Sequence, residues 1–447
     1  MKKVLVITYY WPPTGGSGVQ RWVKFAKYLP QYGWQPVIYT PENPEMTSVD
    51  RSLEGDIPPE AIVVKRPITE FYSLYRRLMG RRDGSVKEVN PINNRERTFK
   101  QKLMLMLRGN LFIPDPRVTW VRPSVRFLKK YLEENPVDVI VSTGPPHSMH
   151  LIAMKVAAAT GIPWIADFRD PWTKMFYFKH LCLSAWAGRK HRLLESKVLD
   201  NADVVVAVSP LVQDEFKAMT DTPVELITNG FDEDDFDQVV EPDGYFNVTH
   251  TGLFAADGNP DVIWKVLSEK CASDPEFRKM LRIRLAGKTD PEIIASIRAA
   301  GLEDNLIDLG YQSHNNAVRE QKNASLLILP LRKEPEYRAT LPGKLFEYLA
   351  SMVPILGIGQ TDGAMARIIN ETRSGVVFDW DDEESVRTYI AHCWRSFSDE
   401  SENPAQPDNA DIIARFSRRN LTGRMASLFQ RVCRCDWPNL SLSSFMK

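Results

Sequence analysis

The chain has 447 residues, more than one hydrophobic core usually serves, so two domains of about 200 residues each are expected. With 43% hydrophobic and 26% charged residues it reads as an ordinary globular protein, and a formal net charge of zero gives no global field to draw nucleic acid. Five cysteines, scattered except for Cys433 and Cys435, form no metal-binding spacing and read as free thiols in a reducing compartment.

The opening MKKVLVITYY puts two lysines before an apolar run too short for a signal peptide and without a small-residue cleavage site; it reads as a first strand. No stretch approaches the roughly 20 apolar residues of a spanning helix. Short apolar, β-branched runs then recur between helical segments, at 3–9, 36–40, 61–66, 138–143, 164–168, 203–208 and 225–228. Runs apolar on both faces belong to parallel strands covered by helices. The pattern restarts at 247–252, 282–287, 306–310, 326–331, 354–358 and 375–379. Two βαβ series predict an α/β protein of two doubly wound, Rossmann-like domains. Their boundary is expected near the acidic 232–245 stretch: one domain over 1–240, a second over 241–415, and a closing helical segment over 416–447. Within the first domain, about 65–115 reads as a helical insertion, with Lys and Arg in clear excess over Asp and Glu in 65–110. Basic residues interleaved with Leu and Met suit either a solvated face or a patch for an anionic membrane surface or lipid-linked molecule.

Four segments carry candidate chemistry. WPPTGGSGVQRW (11–22) follows the first strand and opens a helix, where Gly15, Gly16 and Gly18 permit close backbone approach to an anion at the helix N-terminus. Its G-G-x-G spacing, six residues past the strand, departs from a dinucleotide fingerprint. GPPHSMH (144–150) and IADFRDPW (165–172) both follow strands and so face one crevice at the strands' carboxyl ends, offering His147, Arg169 and Asp170. His147 suits a sugar hydroxyl; Asp167, Arg169 and Asp170 also suit a purely structural ion pair. FDEDDF holds Asp232 and Asp234 as a D-x-D, a spacing that some glycosyltransferases use for a metal, but it lies in the expected linker; no third ligand joins His147 and His150 either. In RATLPGKLFEYLASMVPIL (338–356), Pro342 and Gly343 begin a helix, Lys344 stands in its first turn beside the exposed N–H groups, and Glu347 follows at i+3 on the same face. The pair reads as a grip on phosphate and on a ribose diol, or as a surface salt bridge.

LPGKLFEYLASMVPIL closely resembles the nucleotide-sugar-binding helix of retaining glycosyltransferases of family 4, which have the GT-B fold. GGSGVQR resembles that family's glycine loop, and STGPPHSMHLIA with DFRDPW resembles a bacterial subgroup that makes surface polysaccharides. ITNGFD resembles the crossing between domains; HTGLF (250–254) and RLAGK (284–288) resemble strand ends of the donor domain. The resemblance implies two Rossmann-like domains facing an interdomain cleft. Lys344, with Pro342 and Gly343, would hold the donor diphosphate; Glu347 would hold the ribose; Gly15, Gly16 and Gly18 would approach the diphosphate from the other domain. Gly252 would line the donor loop, Tyr311 and Gln312 would border the base, and His147, Arg169 and Asp170 would lie near the acceptor and the transferred sugar.

It further implies a nucleotide-sugar donor, a glycan or lipid-linked acceptor, no metal, no cofactor and no nucleic acid. The expected place is cytoplasmic, or peripheral on the inner face of the cytoplasmic membrane. Two departures stand out. The family's first glutamate, eight residues before the second, is Ala339 here, and the donor loop LFAADGNPD has no basic residue, leaving Lys288 or Arg338 to supply the charge. These departures keep open an inactive nucleotide-binding homologue acting as a scaffold; a GT-B-like nucleotide-sugar epimerase, which would share the donor site and need no acceptor, is a second alternative.

Overall fold

The computed structural model describes residues 1–45, 49–69, 106, 108–175, 178–399 and 409–434. Most of the basic 65–110 stretch, including Arg76, Arg77, Arg81 and Arg82, lies outside the described residues. The chain forms two compact units, Met1–Thr228 with the segment from Leu421, and Asn229–Asn420, dividing ahead of the acidic 232–245 stretch.

In the first unit, strands β1 (Lys2–Ile7), β2 (Trp34–Pro41), β3 (Ile62–Arg66), β4 (Val139–Gly144), β5 (Trp164–Phe168), β6 (Val204–Ala207) and β7 (Val224–Leu226) form a parallel sheet in the order β3-β2-β1-β4-β5-β6-β7. The central strands are apolar and buried on both faces, as continuous Val, Ile and Leu runs require when helices cover the sheet. Sequence order reverses between β1 and β4, which pair directly, so the loops leaving these two strands flank the crevice where ligands bind in such sheets. Those loops carry the glycines 15–18 and His147. Strand β7 ends at Leu226, short of the expected 228, because the carbonyls of Ile227 and Thr228 accept from Arg21 instead of continuing the ladder. The closing helix, Arg418–Arg434, turns Leu421, Met425, Leu428 and Phe429 into the core of this unit.

The second unit repeats the plan. Strands β8 (Phe246–Thr251), β9 (Leu281–Ala286), β10 (Leu306–Gly310), β11 (Leu326–Pro330), β12 (Ile355–Ile358) and β13 (Gly375–Phe378) pair in parallel in the order β10-β9-β8-β11-β12-β13. Here the order reverses between β8 and β11. The loop after β8 carries Gly252, and the loop after β11 leads to helix α1 (Gly343–Ala350). All thirteen strands fall within a few residues of the apolar runs that predict them. The sequence Asp232–Asp234 folds as a short turn, with the Asp232 carboxylate accepting from the Asp234 amide at its start, rather than as a strand-end site.

Candidate functional site

Helix α1 begins where Pro342 is held extended at φ −64°, ψ 140°, and Leu345, Phe346, Tyr348 and Leu349 are buried. That burial fixes the rotation of the helix and leaves Lys344 and Glu347 on the face toward β8. The Lys344 ammonium donates to Leu253 O at 3.1 Å and stands 3.0 Å from His250 Nε2. It is not bonded to Glu347; the surface-pair reading is therefore replaced by two separate anchorages. Burial lowers the Lys344 ammonium to about 8, with Glu347 opposing that shift. His250 is buried and stacked on Phe254 at 4.0 Å, and burial together with the Lys344 charge keeps it well below the usual imidazole range. A neutral His250 facing an ammonium must present Nε2 as acceptor and carry its proton on Nδ1.

Glu347 accepts from Gln321 Nε2 at 3.0 Å, and the same nitrogen reaches Thr251 Oγ1 at 3.0 Å. Tyr348, whose hydroxyl accepts from the Thr251 amide at 2.9 Å, ties the helix to the end of β8. Backbone geometry closes the loop. Gly252 has φ +85°, and a Cβ on Gly287 would stand 2.0 Å from Gly252 O, so the turns after β8 and β9 touch only because Gly287 has no side chain.

The other donor-side candidates differ in placement. Lys288 is exposed, with no side-chain partner among the described residues, while its carbonyl accepts from the Phe254 amide. Tyr311 is 88% exposed, and Gln312 donates to Leu309 O at 2.6 Å. Arg338 is held by Asp362 at 2.8 Å and is not gathered with Lys344. A cation that the sequence reading passed over lies closer to the loop after β8: Arg332, just after β11, pairs with Asp257 at 2.9 Å and donates to the Tyr337 hydroxyl at 2.8 Å. Lys344 and Arg332 thus bracket the Leu253–Asp257 loop.

In the first unit, Gly16 has φ +105° and caps the helix Ser17–Tyr28. At Gly18 a Cβ would lie 2.6 Å from Arg169 Nη1, which donates to Gly18 O at 2.8 Å, so a side chain there would displace that guanidinium. Arg169 also donates to Pro145 O, and its own amide donates to Gly144 O at 2.8 Å, so the glycine loop, the loop of His147 and the loop of Arg169 are one assembly. His147 is buried and stacked on Trp172 at 4.5 Å and 1°, and neither of its ring nitrogens has a hydrogen-bond partner among the described residues. Burial holds it well below the usual imidazole range, so it stands neutral, with one donor and one acceptor to offer. The Asp170 carboxyl is raised to about 6 by burial, against the pull of Arg169. Among the described residues, no group of three His, Cys, Asp or Glu gathers as a metal site.

The structural ion pair exists, but with a different arginine. Asp167 accepts from Arg21 (2.8 and 3.1 Å), Trp22 Nε1 (2.8 Å) and Thr143 Oγ1 (2.9 Å), all buried. Burial would raise this carboxyl, but the charge and bonds of Arg21 and the bonds from Trp22 and Thr143 prevail and hold it below its ordinary value. Asp115 is a second supporting residue, accepting from the amide and hydroxyl of Ser148 and so fixing the loop of His147. Neither Arg21 nor Asp115 signals its role in sequence, since their partners lie far along the chain. His250 and Gln321 were equally silent: a histidine at a strand end and a glutamine inside a polar helix have many ordinary uses.

Residues 101–230 match the family model described as a Glycosyl transferase 4-like domain. No curated protein matches the sequence. Among solved structures the chain is similar to a glycosyltransferase from Rickettsia africae ESF-5, at 13% identity over 96% of this chain and 98% of that one, TM-score 0.62. It is also similar to sucrose-phosphate synthase from Thermosynechococcus elongatus, at 14% identity over 97% and 100%, TM-score 0.61. The lipopolysaccharide outer core galactosyltransferase WaaB gives 13% identity over 97% and 100%, TM-score 0.58. At these identities the likeness is one of fold, and that fold is GT-B: two parallel-sheet α/β units in one chain. Together with the family match, these neighbours support a GT-B glycosyltransferase.

Proposed function

We propose that this protein is a glycosyltransferase that moves a sugar from a nucleoside-diphosphate-sugar to a hydroxyl of a glycan or lipid-linked acceptor, with retention, in cell-surface polysaccharide synthesis. The observation that carries the reading is the anchorage of Lys344. An ammonium is held by His250 Nε2 and Leu253 O in the first turn of helix α1, with the Glu347 carboxylate one turn on, bonded to Gln321. As the glycosidic bond breaks, negative charge grows on the diphosphate; Lys344 and the N-terminus of α1 are aimed at such a charge. Protein cations then serve the leaving group without a metal. On the acceptor side His147 offers unpartnered ring nitrogens to a sugar hydroxyl, and Asp170 is an ionised acceptor at neutral pH beside Arg169. The route proposed is attack by the acceptor hydroxyl on the face that the diphosphate leaves. The place of action is the cytoplasm, with the basic 65–110 stretch as a contact to the inner membrane face.

Thermal unfolding with UDP, GDP, ADP, CMP and NAD tests the donor site. One nucleoside diphosphate at about 100 times its dissociation constant stabilises the chain by about 2.7 kcal/mol, and Glu347→Ala is expected to abolish the shift. Absence of any shift moves the inactive-homologue reading to first place. Release of free nucleotide only when acceptor is added argues against the epimerase.

The pH dependence follows from Lys344. The free ammonium titrates near 8, whereas the diphosphate binds the protonated form. Affinity for the nucleoside diphosphate is expected to be flat from neutrality to about 8 and then to fall by up to about tenfold per pH unit. Because the folded value lies below the usual lysine value, folding of the free protein gains from Lys344 as pH rises above about 8, the opposite sign. Isothermal titration across pH 7–10 checks this, and Lys344→Arg should flatten the profile.

A further inference from the structure

The helix Ala185–Asn201 of the first unit, capped by Ser184, turns Ala187, His191, Glu195, Val198 and Leu199 inward. Its outward stripe is Trp186, Arg189, Lys190, Leu193 and Lys197, spaced i, i+3, i+4, i+7 and i+11, with Arg192 at its edge, all exposed. Trp186 is 57% and Leu193 55% exposed, two large apolar side chains that the fold leaves in water. Among the described residues none of the four cations is in an ion pair. The helix has two acids: Glu195, turned inward onto Thr173 and the Trp172 amide, and Asp200 in the last turn, bonded by Ser196 and Thr220. Lys190 Nζ lies 4.7 Å from the centroid of the Trp186 ring, so charge and aromatic surface are presented together.

A second apolar element adjoins the start of the helix. Asn110 donates to Cys182 O at 3.2 Å and accepts from the Ser184 amide at 2.8 Å, tying the segment of Leu111 (68% exposed) and Met106 (44% exposed) to it.

We propose that this face of the helix Ala185–Asn201, extended by Leu111 and Met106, docks on an anionic lipid bilayer. Trp186 and Leu193 stand about 10 Å apart along one side of the helix, so a single plane meets both. Large apolar groups interleaved with unpaired Arg and Lys match a surface whose acyl boundary lies beneath a layer of negative headgroups. Among the described residues no helix is long and apolar enough to cross a membrane, so the contact is a surface one. The helix stripe lies outside the basic 65–110 stretch in sequence, while Met106 belongs to that stretch, and the proposal does not depend on the reading of the donor site. For a transferase with a lipid-linked acceptor it would hold the first unit at the plane where that acceptor lies.

Co-sedimentation of the full chain tests it, with vesicles of phosphatidylglycerol mixed with phosphatidylcholine and with phosphatidylcholine alone. The wild type is expected to bind the mixed vesicles more tightly, and less so as salt rises. Arg189→Glu with Lys190→Glu should weaken that binding by about tenfold or more, and Trp186→Ser with Leu193→Ser should weaken it even at high salt. A third variant replaces Arg76, Arg77, Arg81 and Arg82 by alanine. If it alone loses binding while both helix variants match the wild type, the proposal is wrong and the insertion is the contact. Equal binding of wild type to both vesicle types also overturns it, as does self-association that the helix variants abolish without changing vesicle binding. All substituted helix positions are exposed, so unchanged unfolding midpoints and nucleotide shifts in the variants will separate this result from a failure of the donor site.

Discussion

Replacing Lys344 by alanine is expected to reduce sugar transfer at least about 100-fold while leaving the fold intact. Lys344 is half-buried on the face of helix α1 toward β8, and the packing of the helix is carried by Leu345, Phe346, Tyr348 and Leu349. Removing the side chain therefore leaves the helix seated. What is lost is a fixed cation aimed at the charge that develops on the leaving diphosphate, and one such donor contributes about 2.7–4 kcal/mol in a pre-organised site. The loss should appear mainly in kcat, because the charge is greatest in the transition state. His250→Ala should produce a smaller loss in the same direction, since Lys344 keeps its bond to Leu253 O but loses the imidazole that aims it. Steady-state rates with the nucleotide-sugar identified by thermal shift provide the measurement. Near-normal turnover of Lys344→Ala removes this helix from the reaction.

Asp167→Ala is expected to destabilise the first unit strongly. It strips four donated bonds from a buried site and leaves the Arg21 guanidinium charged and without its carboxylate. Breaking one side of a buried ion pair costs about 3–5 kcal/mol, which is roughly 6–20 °C in the midpoint of a unit of this size. The sign with pH is set by the lowered carboxyl. The stabilisation is complete above the ordinary aspartate value and is lost as pH falls through the lower folded value, so the gap between wild type and variant should close in acid. Denaturation curves between neutral and acid pH check both statements. The double replacement Arg21→Met, Asp167→Leu should be less damaging than Asp167→Ala alone, because no charge is left buried. A variant as stable as the wild type at neutral pH would mean that the pair merely fills space.

Thirteen strands were legible because a parallel sheet covered on both faces demands uninterrupted apolar runs, and such runs do not occur by accident at this spacing. Helix α1 was legible through its start signal, Pro342-Gly343, and its apolar stripe. The candidate residues at strand ends were legible for a topological reason, since strand-end loops at a switch point face a crevice whichever residues they carry. The identities of the partners were not. Lys344 with Glu347 read equally well as a salt bridge until His250 and Gln321 were seen to claim them separately, and those two lie 94 and 26 residues away in the chain. Arg169 and Asp167, two residues apart on one strand end, looked like natural companions. A strand points successive side chains to opposite faces, yet i and i+2 share one; what parted them was Arg21, which arrives from the helix after β1 with a fork that fits the carboxylate.

From the residues alone came the doubly wound α/β plan, the strand-end loops, the helix of Lys344 and the family resemblance; all of these rest on periodicity and on short-range turn and cap chemistry, which act within a few residues of one another. Tertiary structure alone decided that His250 meets Lys344, that Gln321 holds Glu347, that Arg332 and Lys344 bracket the loop after β8, and that Trp186 and Leu193 face outward beside exposed cations. Each of these depends on which side chains meet across sequence separations of tens to hundreds of residues, and on which face of a helix the core claims. Burial and hydrogen-bond geometry settle such choices only once the chain has folded.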